Sequence, residues 1–283
     1  VQLTLASYNM HYGLGLDGRY DLARIADAVQ DADIVCLQEV TQNWPQTGHE
    51  DQLATLATRL NRYAAFGQML SVDASEVTAC GQVQNRRATF GNAVLSRWPI
   101  SHNRVVPLPK RTPEGMFDLQ RVVLEAVIPV PGLPLRVYSV HLSDISAPQR
   151  RIQVDALRQA LAEAPDHGKP WDHTSDFLEF LGHGPFDMPQ AAVVLGDLNF
   201  GPEEENYARL LGPAGDGEPL LHDAWDLAGT PGPARTYALE DLPDARIDYC
   251  LVSACLTQRV ERAWVDSSAR GSDHYPLFAT LRI

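Results

Sequence analysis

An α/β fold, with sheets covered by helices, is predicted by two features of this 283-residue sequence. Short β-branched apolar runs alternate with stretches of helical spacing, and several runs stand close enough in sequence to pair as hairpins. The first run, Leu3-Thr4-Leu5-Ala6-Ser7-Tyr8, stops on Asn9. A glycine-rich turn (Gly13, Gly15, Gly18) follows, and residues 21–29 then carry apolar side chains at helical intervals. A second run, Ile34-Val35-Cys36-Leu37-Gln38, stops on Glu39. Residues 51–62 read as a helix with Leu53, Leu56, Ala57 and Leu60 on one face. Strands are expected near 64–70, 92–96, 122–128 and 135–141. Pro148 opens an expected helix over 148–164, in a first-turn position where its missing N–H costs nothing. The last strands fall near 192–197, 247–252, 262–266 and 276–282.

Residues 165–190, rich in Pro, Gly and His, interrupt this pattern and read as an insertion or a pocket-covering loop. Trp171, Phe177, Phe180 and Phe186 supply its aromatic surface. Residues 212–219 and 229–235 read as surface loops. Chemically competent residues occur on both sides of each interruption, so residues 1–283 are expected to form a single domain.

Composition narrows the function. With 45% hydrophobic residues the chain can build a sizeable core. No unbroken apolar stretch exceeds about five residues, against the ~20 a membrane-spanning helix needs. A net charge of −13 argues against a broad electrostatic grip on nucleic acid. It leaves phosphate substrates open, because a bound divalent cation inverts the local field. The four cysteines show no metal-ligand spacing and predict no disulfide framework. The compartment stays open: the chain starts at Val1 with no visible leader, which is compatible with one having been removed.

The strand ends carry the chemistry. Buried strands rarely hold carboxylates, amides or imidazoles unpaired, so such residues at strand ends belong at the rim of a sheet. They are Asn9, Glu39, His141, Asp197 with Asn199, Asp248, and the Asp273-His274 pair. In Gly196-Asp197-Leu198-Asn199, two polar side chains two positions apart can face one point. An Asx turn would explain that tetrad equally well. Glu39 suits a hard divalent cation, although a Glu paired with an Arg explains it too. His274 could be oriented by Asp248. His141 could donate to a phosphoryl oxygen or merely cap its loop. His11, two residues past Asn9, is the other histidine of interest; the rest read as structural or surface groups. GxSxG, HExxH, GxxxxGK[ST] and GxGxxG are all absent, which removes support for serine hydrolase, zincin, P-loop and Rossmann chemistry.

Taken in order, these pieces resemble the endonuclease/exonuclease/phosphatase superfamily of metal-dependent phosphoesterases. The resemblance is carried by Ser7-Tyr8-Asn9, Leu37-Gln38-Glu39-Val40, Gly91-Asn92-Ala93-Val94-Leu95-Ser96 with Pro99-Ile100, and Tyr138-Ser139-Val140-His141-Leu142. It continues through Gly196-Asp197-Leu198-Asn199, Asp223-Ala224-Trp225, Thr236-Tyr237, Arg246-Ile247-Asp248-Tyr249 and Ser272-Asp273-His274.

The resemblance implies a four-layer α/β sandwich of the DNase I-like kind, two mixed sheets face to face with helices outside. It implies Mg²⁺ (or Mn²⁺) held by Glu39, with Asn9 and Asp273 nearby. Asp197 would align or activate water, and His274, oriented by Asp248, would stabilise the phosphoryl transition state. Asn199, His141 and Asn92 would contact substrate. His141 occupies a position where DNase I-like and sphingomyelinase-like members have His, which makes repair-nuclease activity less expected. The expected function is metal-assisted hydrolysis of a small or lipid-derived phosphodiester or phosphomonoester. A DNase I-like nuclease is the alternative, and a non-catalytic binding module retaining the fold the third reading. Substrate identity, metal count and oligomeric state are not encoded in these motifs.

Overall fold

In the computed structural model, the described residues are 2–112, 114–171, 176–180, 187–213, 217–232, 234–239 and 245–283. The strands are β1 (Gln2–Asn9), β2 (Ile34–Gln42), β3 (Tyr63–Asp73), β4 (Glu76–Val77), β5 (Val83–Gln84), β6 (Arg87–Ser96) and β7 (His102–Pro107). They continue as β8 (Val122–Ile128), β9 (Leu135–His141), β10 (Ala192–Asp197), β11 (Leu221–Asp223), β12 (Asp248–Ser253), β13 (Val260–Val265) and β14 (Leu277–Arg282). The α-helices are α1 (Leu22–Val29), α2 (Gln52–Leu60), α3 (Ala147–His167), α4 (Asp176–Phe180), α5 (Glu205–Leu211) and α6 (Ala224–Leu227).

One six-stranded sheet has the order β13-β14-β1-β2-β6-β3, and the other β11-β12-β10-β9-β8-β7. β1 runs parallel to β2 and β10 parallel to β9; the remaining neighbours in both sheets are antiparallel. The largest core lies between the sheets, where Leu3, Leu5, Ile34 and Val94 meet Leu124, Val137, Leu195 and Cys250. A second core joins the outer face of the first sheet to α1 and α2, through Leu22, Ile25, Val29, Leu53 and Leu56. A third joins the second sheet to α3 and α5, through Val154, Leu157, Leu161 and Leu210. The result is the expected four-layer α/β sandwich.

Side-chain alternation explains where the polar strand ends point. In β1, Leu3 and Leu5 face the inter-sheet core, so Ser7 and Asn9 continue on that face. The same parity carries Val137 to Ser139 and His141, Val193 and Leu195 to Asp197, and Val252 and Cys250 to Asp248. At one end of the sandwich the apolar filling therefore gives way to a buried polar layer.

Glu39 breaks this parity. Leu37 and Val40 both face the outer core, with two residues between them. The β2–β6 register shifts at this point, and Glu39 has φ +60°. This β-bulge turns the carboxylate towards the other strand ends, as bulges beside functional sites do.

Several elements lie outside the sequence expectation, the short β4, β5, β11, α5 and α6 among them. β7 was not anticipated, because its side chains alternate between half-buried and exposed along a sheet edge and show no apolar run. The third long helix runs past Pro165 to His167. Proline removes the N–H that would bond the Leu161 carbonyl, and the Arg136 guanidinium donates to that carbonyl instead, at 3.2 Å. Finally, both described ends of the 165–190 segment are anchored far from His141. The Gly168 carbonyl lies 3.0 Å from Nε2 of His102, and Pro189 and Gln190 carbonyls accept from Arg136, at the opposite end of β9. Residues 172–175 and 181–186, including Phe186, lie outside the described residues.

Candidate active site

The polar ends of β1, β2, β9, β10 and β12 and the Ser272-Asp273-His274 segment before β14 converge on one place. Its centre is Asp197, almost fully buried at 1% exposure. The Asn9 amide nitrogen donates to Oδ2 of Asp197 at 3.0 Å and to Oε1 of Glu39 at 3.3 Å, linking the two sheets. The Asn199 backbone N–H donates to Oδ1 of Asp197 at 2.9 Å. Nε2 of His141 and of His274 lie 3.5 and 3.7 Å from Oδ2 of Asp197. Asp248 Oδ2 stands 2.8 Å from Nδ1 of His274.

Local structure fixes these groups. Gly196 is required by close approach: a Cβ there would stand 1.9 Å from the Val140 carbonyl oxygen of the neighbouring strand. This glycine serves strand packing rather than ligand approach. Asn199 adopts φ +56° and ties its side chain to the Leu142 carbonyl, which turns its backbone N–H towards Asp197. Ser272 donates to the Asn9 carbonyl at 2.7 Å and accepts from the His274 N–H at 3.1 Å, joining the two segments. Thr236 Oγ1 accepts from the backbone N–H of Ile247 and Asp248 and seats the carboxylate that faces His274. The Tyr237 ring meets the His274 ring edge-on at 5.2 Å.

Burial sets the charges. It pushes the Asp197 carboxyl up to about 7 against the pull of His274, and it raises Glu39 as well. For His274 burial opposes the imidazolium, but Asp248 and Asp197 override it and hold the group up to about 10. His141 goes the other way, well below the usual range, through burial and then the nearby Arg121 and His274. The site therefore pairs one cationic imidazole with one neutral imidazole, around a carboxylate poised near neutrality.

The donor set was tested against a cation. Asp197, Asp248 and His274 present ligand atoms within 4.8 Å of one another. Their geometry is that of an orienting triad, since a hydrogen bond to Asp248 already occupies Nδ1 of His274. Glu39 fits a hard cation better. Its carboxylate accepts from Asn9, and no Lys, Arg or His nitrogen among the described residues lies within 4 Å of it. One or two carboxylates completed by water and phosphate oxygens are the usual Mg²⁺ environment. Asp273 lies beside it, 3.6 Å from Nδ1 of His11, and adds to the upward push on Glu39.

Two of the expected contact residues hold specific hydrogen bonds in this structure. Asn9 turns its NH₂ rather than its oxygen to Glu39, while its Oδ1 accepts from the His11 N–H at 3.1 Å. In this orientation it links the carboxylates of Glu39 and Asp197. Asn92 is fully buried, and its amide donates to the Val122 and Ser139 carbonyls at 3.1 and 3.2 Å. It braces the two sheets beneath the site, and its Oδ1 is buried without a hydrogen-bond partner.

The sequence reading passed over Tyr12 and Arg121. Tyr12 reaches the rim through two consecutive left-handed residues, His11 and Tyr12, both with φ +43°. Glu39 and Asp273 reinforce the effect of burial in raising its phenol. No local pattern announces that turn. Arg121 is buried beside His141 and bonds Asp144 at 2.9 Å. Its signal was available: a single cation just before the wholly buried run Val122–Ile128.

The chain is thus a four-layer α/β sandwich with acid, imidazole and amide groups gathered at one end. The family model described as "Endonuclease/Exonuclease/phosphatase family" matches residues 6–171 and 174–274, and the chain belongs to that family. It is 32% identical over 187 residues to the uncharacterized protein YbhP of Escherichia coli K12, covering 61% of this chain and 65% of that protein. The match thus spans just under two thirds of its relative's length. Among solved structures, an endonuclease/exonuclease/phosphatase from Beutenbergia cavernae superposes with TM-score 0.70 at 28% identity, covering 100% of this chain and 72% of that one. A Bacteroides thetaiotaomicron mannosyl-6-phosphatase gives TM-score 0.68 at 19% identity, covering 99% and 100%. TDP2 from Caenorhabditis elegans gives 0.58 at 20%, covering 100% and 75%. The last two likenesses concern the fold alone. No helix among the described residues is long and apolar enough to cross a membrane.

Proposed function

We propose that the chain is a Mg²⁺- or Mn²⁺-dependent phosphoesterase that hydrolyses a small or lipid-derived phosphodiester, or a phosphomonoester, by in-line attack of water. The observation that carries this reading is the convergence of Asp197 and the His274–Asp248 pair with Glu39 across the Asn9 amide. Glu39 would hold the cation, with Asp273 beside it; a bound divalent ion neutralises phosphoryl charge and polarises the ester. Asp197, poised near neutrality, takes a proton from the attacking water. The Asn9 amide and the Asn199 N–H aim its two oxygens. His274, kept cationic by Asp248, donates to a non-bridging oxygen where charge builds in the transition state. Neutral His141 donates a second hydrogen bond to the phosphoryl group, and Asn199 lines the approach to Asp197.

The charge distribution favours a small substrate over nucleic acid. Arg86 and Arg87, the small basic patch, are drawn to Glu76 at 3.2 Å and to Asp73 at 3.8 Å. The purified chain is expected to hydrolyse bis-p-nitrophenyl phosphate with Mg²⁺ and to lose that activity in EDTA. Retained activity in Asp197→Ala would sink the mechanism. Plasmid nicking, strongest at low salt, would instead support a nuclease. Inertness towards a panel of phospholipids, nucleotides, sugar phosphates and DNA, with metal supplied, would support a binding module.

A further inference from the structure

Gln52, the first residue of α2, has no exposed surface although it sits at a helix end. Its Oε1 accepts from the Thr41 N–H at 2.7 Å, and its Nε2 donates to the Tyr12 carbonyl at 2.6 Å. Thr41 lies two residues past Glu39 on β2, and Tyr12 three residues past Asn9 at the end of β1. One buried amide thus joins the two backbone segments that hold Asn9 and Glu39.

Both segments hold left-handed residues at or within two positions of its grip. His11 and Tyr12 have φ +43°, and Glu39 has φ +60°. Such conformations in non-glycine residues persist only where surrounding structure over-determines them. The helix bearing Gln52 is itself pinned to β2. Its capping residue Asp51 accepts from the Ala54 N–H at 2.9 Å and from the Gln42 side chain through both carboxylate oxygens at 3.0 Å. The bracket is therefore a rigid element rather than a loop. Thr41 needs an acceptor and Tyr12 a donor on the same side chain, and the Gln52 amide supplies both.

We propose that Gln52 is a positioning residue for the cation-holding half of the site, setting the separation of Asn9 and Glu39 by tying the Tyr12 turn to the strand beyond the bulge. This rests on the reading of Glu39 as the cation's principal ligand. Gln52 touches neither substrate nor cation; it acts through backbone. It reaches the Asp197–His274–Asp248 half only indirectly, through the Asn9 amide on Asp197 and the Ser272 hydroxyl on the Asn9 carbonyl.

The test uses the full chain with Gln52→Leu, which removes both bonds, and Gln52→Glu, which at pH 8 keeps the acceptor but offers Tyr12 no hydrogen. Mn²⁺ binding is measured directly by isothermal titration calorimetry. The Mg²⁺ half-saturation and the limiting kcat are measured separately with bis-p-nitrophenyl phosphate. Both variants are expected to bind Mn²⁺ about 10–100-fold more weakly, as when an outer partner of a metal ligand is lost. Mg²⁺ half-saturation rises in parallel, while kcat at saturating metal falls much less. Should the leucine variant fail to melt cooperatively, the glutamate variant decides. Wild-type metal affinity in a folded variant, or a loss of kcat with unchanged metal affinity, overturns the proposal. A wild-type chain that binds no Mn²⁺ overturns the reading of Glu39 together with it. A wild type that binds, beside variants that bind equally well, overturns only the role of Gln52.

Discussion

Asp248 Oδ2 lies 2.8 Å from Nδ1 of His274, both residues are buried, and this contact keeps a cationic imidazole where burial alone would expel it. The backbone around it is arranged for the purpose. Thr236 holds the start of β12, and Ser272 holds the His274 N–H.

Asp248→Asn retains the shape and loses the charge. The His274 imidazolium, held up to about 10 in the wild type, should titrate at clearly lower pH. Imidazole ¹⁵N chemical shifts of the metal-free protein measure this directly. Hydrolysis should fall roughly 10²–10⁴-fold, the scale on which an orienting carboxylate supports a catalytic histidine. An unchanged titration would mean that Asp197 alone sustains the cation.

The fold was legible because each buried strand is a short apolar run whose parity continues into its polar end. Leu3-Leu5 announces Asn9, and Val193-Leu195 announces Asp197. Parity alone, however, would have turned Glu39 to the wrong face. Its position depends on a bulge and a left-handed φ, which no local pattern encodes. Asn92 shows another limit, since nothing in its motif announces the two backbone carbonyls that its amide meets. Gln52 acts on backbone atoms distant in sequence, so only the tertiary structure reveals it; for Thr236 the motif was legible but its grip on the start of β12 was not.

Gly196→Ala should destabilise the chain without touching a catalytic group. The new Cβ would meet a backbone oxygen at 1.9 Å, and β9 cannot retreat without opening its pairing with β10. Overpacking of this kind costs about 1–3 kcal/mol. Urea denaturation gives the number, and a loss under about 1 kcal/mol would mean that the two strands slide apart freely.

Glu39→Gln keeps the hydrogen bond from Asn9 geometrically possible and removes the charge that a hard cation needs. Mg²⁺ half-saturation should rise by at least the 10–100-fold seen on losing a supporting partner. Added metal should also raise the melting temperature less than in the wild type, because ligand stabilisation follows affinity. Equal thermal shifts in the two proteins would move the cation away from Glu39.

Asp197→Asn should stabilise the metal-free protein, and more at pH 8 than at pH 5. Burial raises this carboxyl from the usual 3.8 to about 7 in the folded chain, so between those values the folded state holds the proton more tightly than the unfolded state. Stability therefore falls as pH rises through that window, and the full cost of the buried charge is present above about 7. His274 acts in the same sense at higher pH: its contribution is complete below 6.5 and is lost as pH rises towards about 10. Asparagine removes the first of these costs and leaves the imidazolium its partner in Asp248. Melting temperatures at the two pH values measure the difference, with each kcal/mol worth about 2–4 °C for a chain near this size. An equal or smaller gain at pH 8 than at pH 5 would show that the Asp197 charge is not a cost to the fold, and that its proton is not held near neutrality for catalysis.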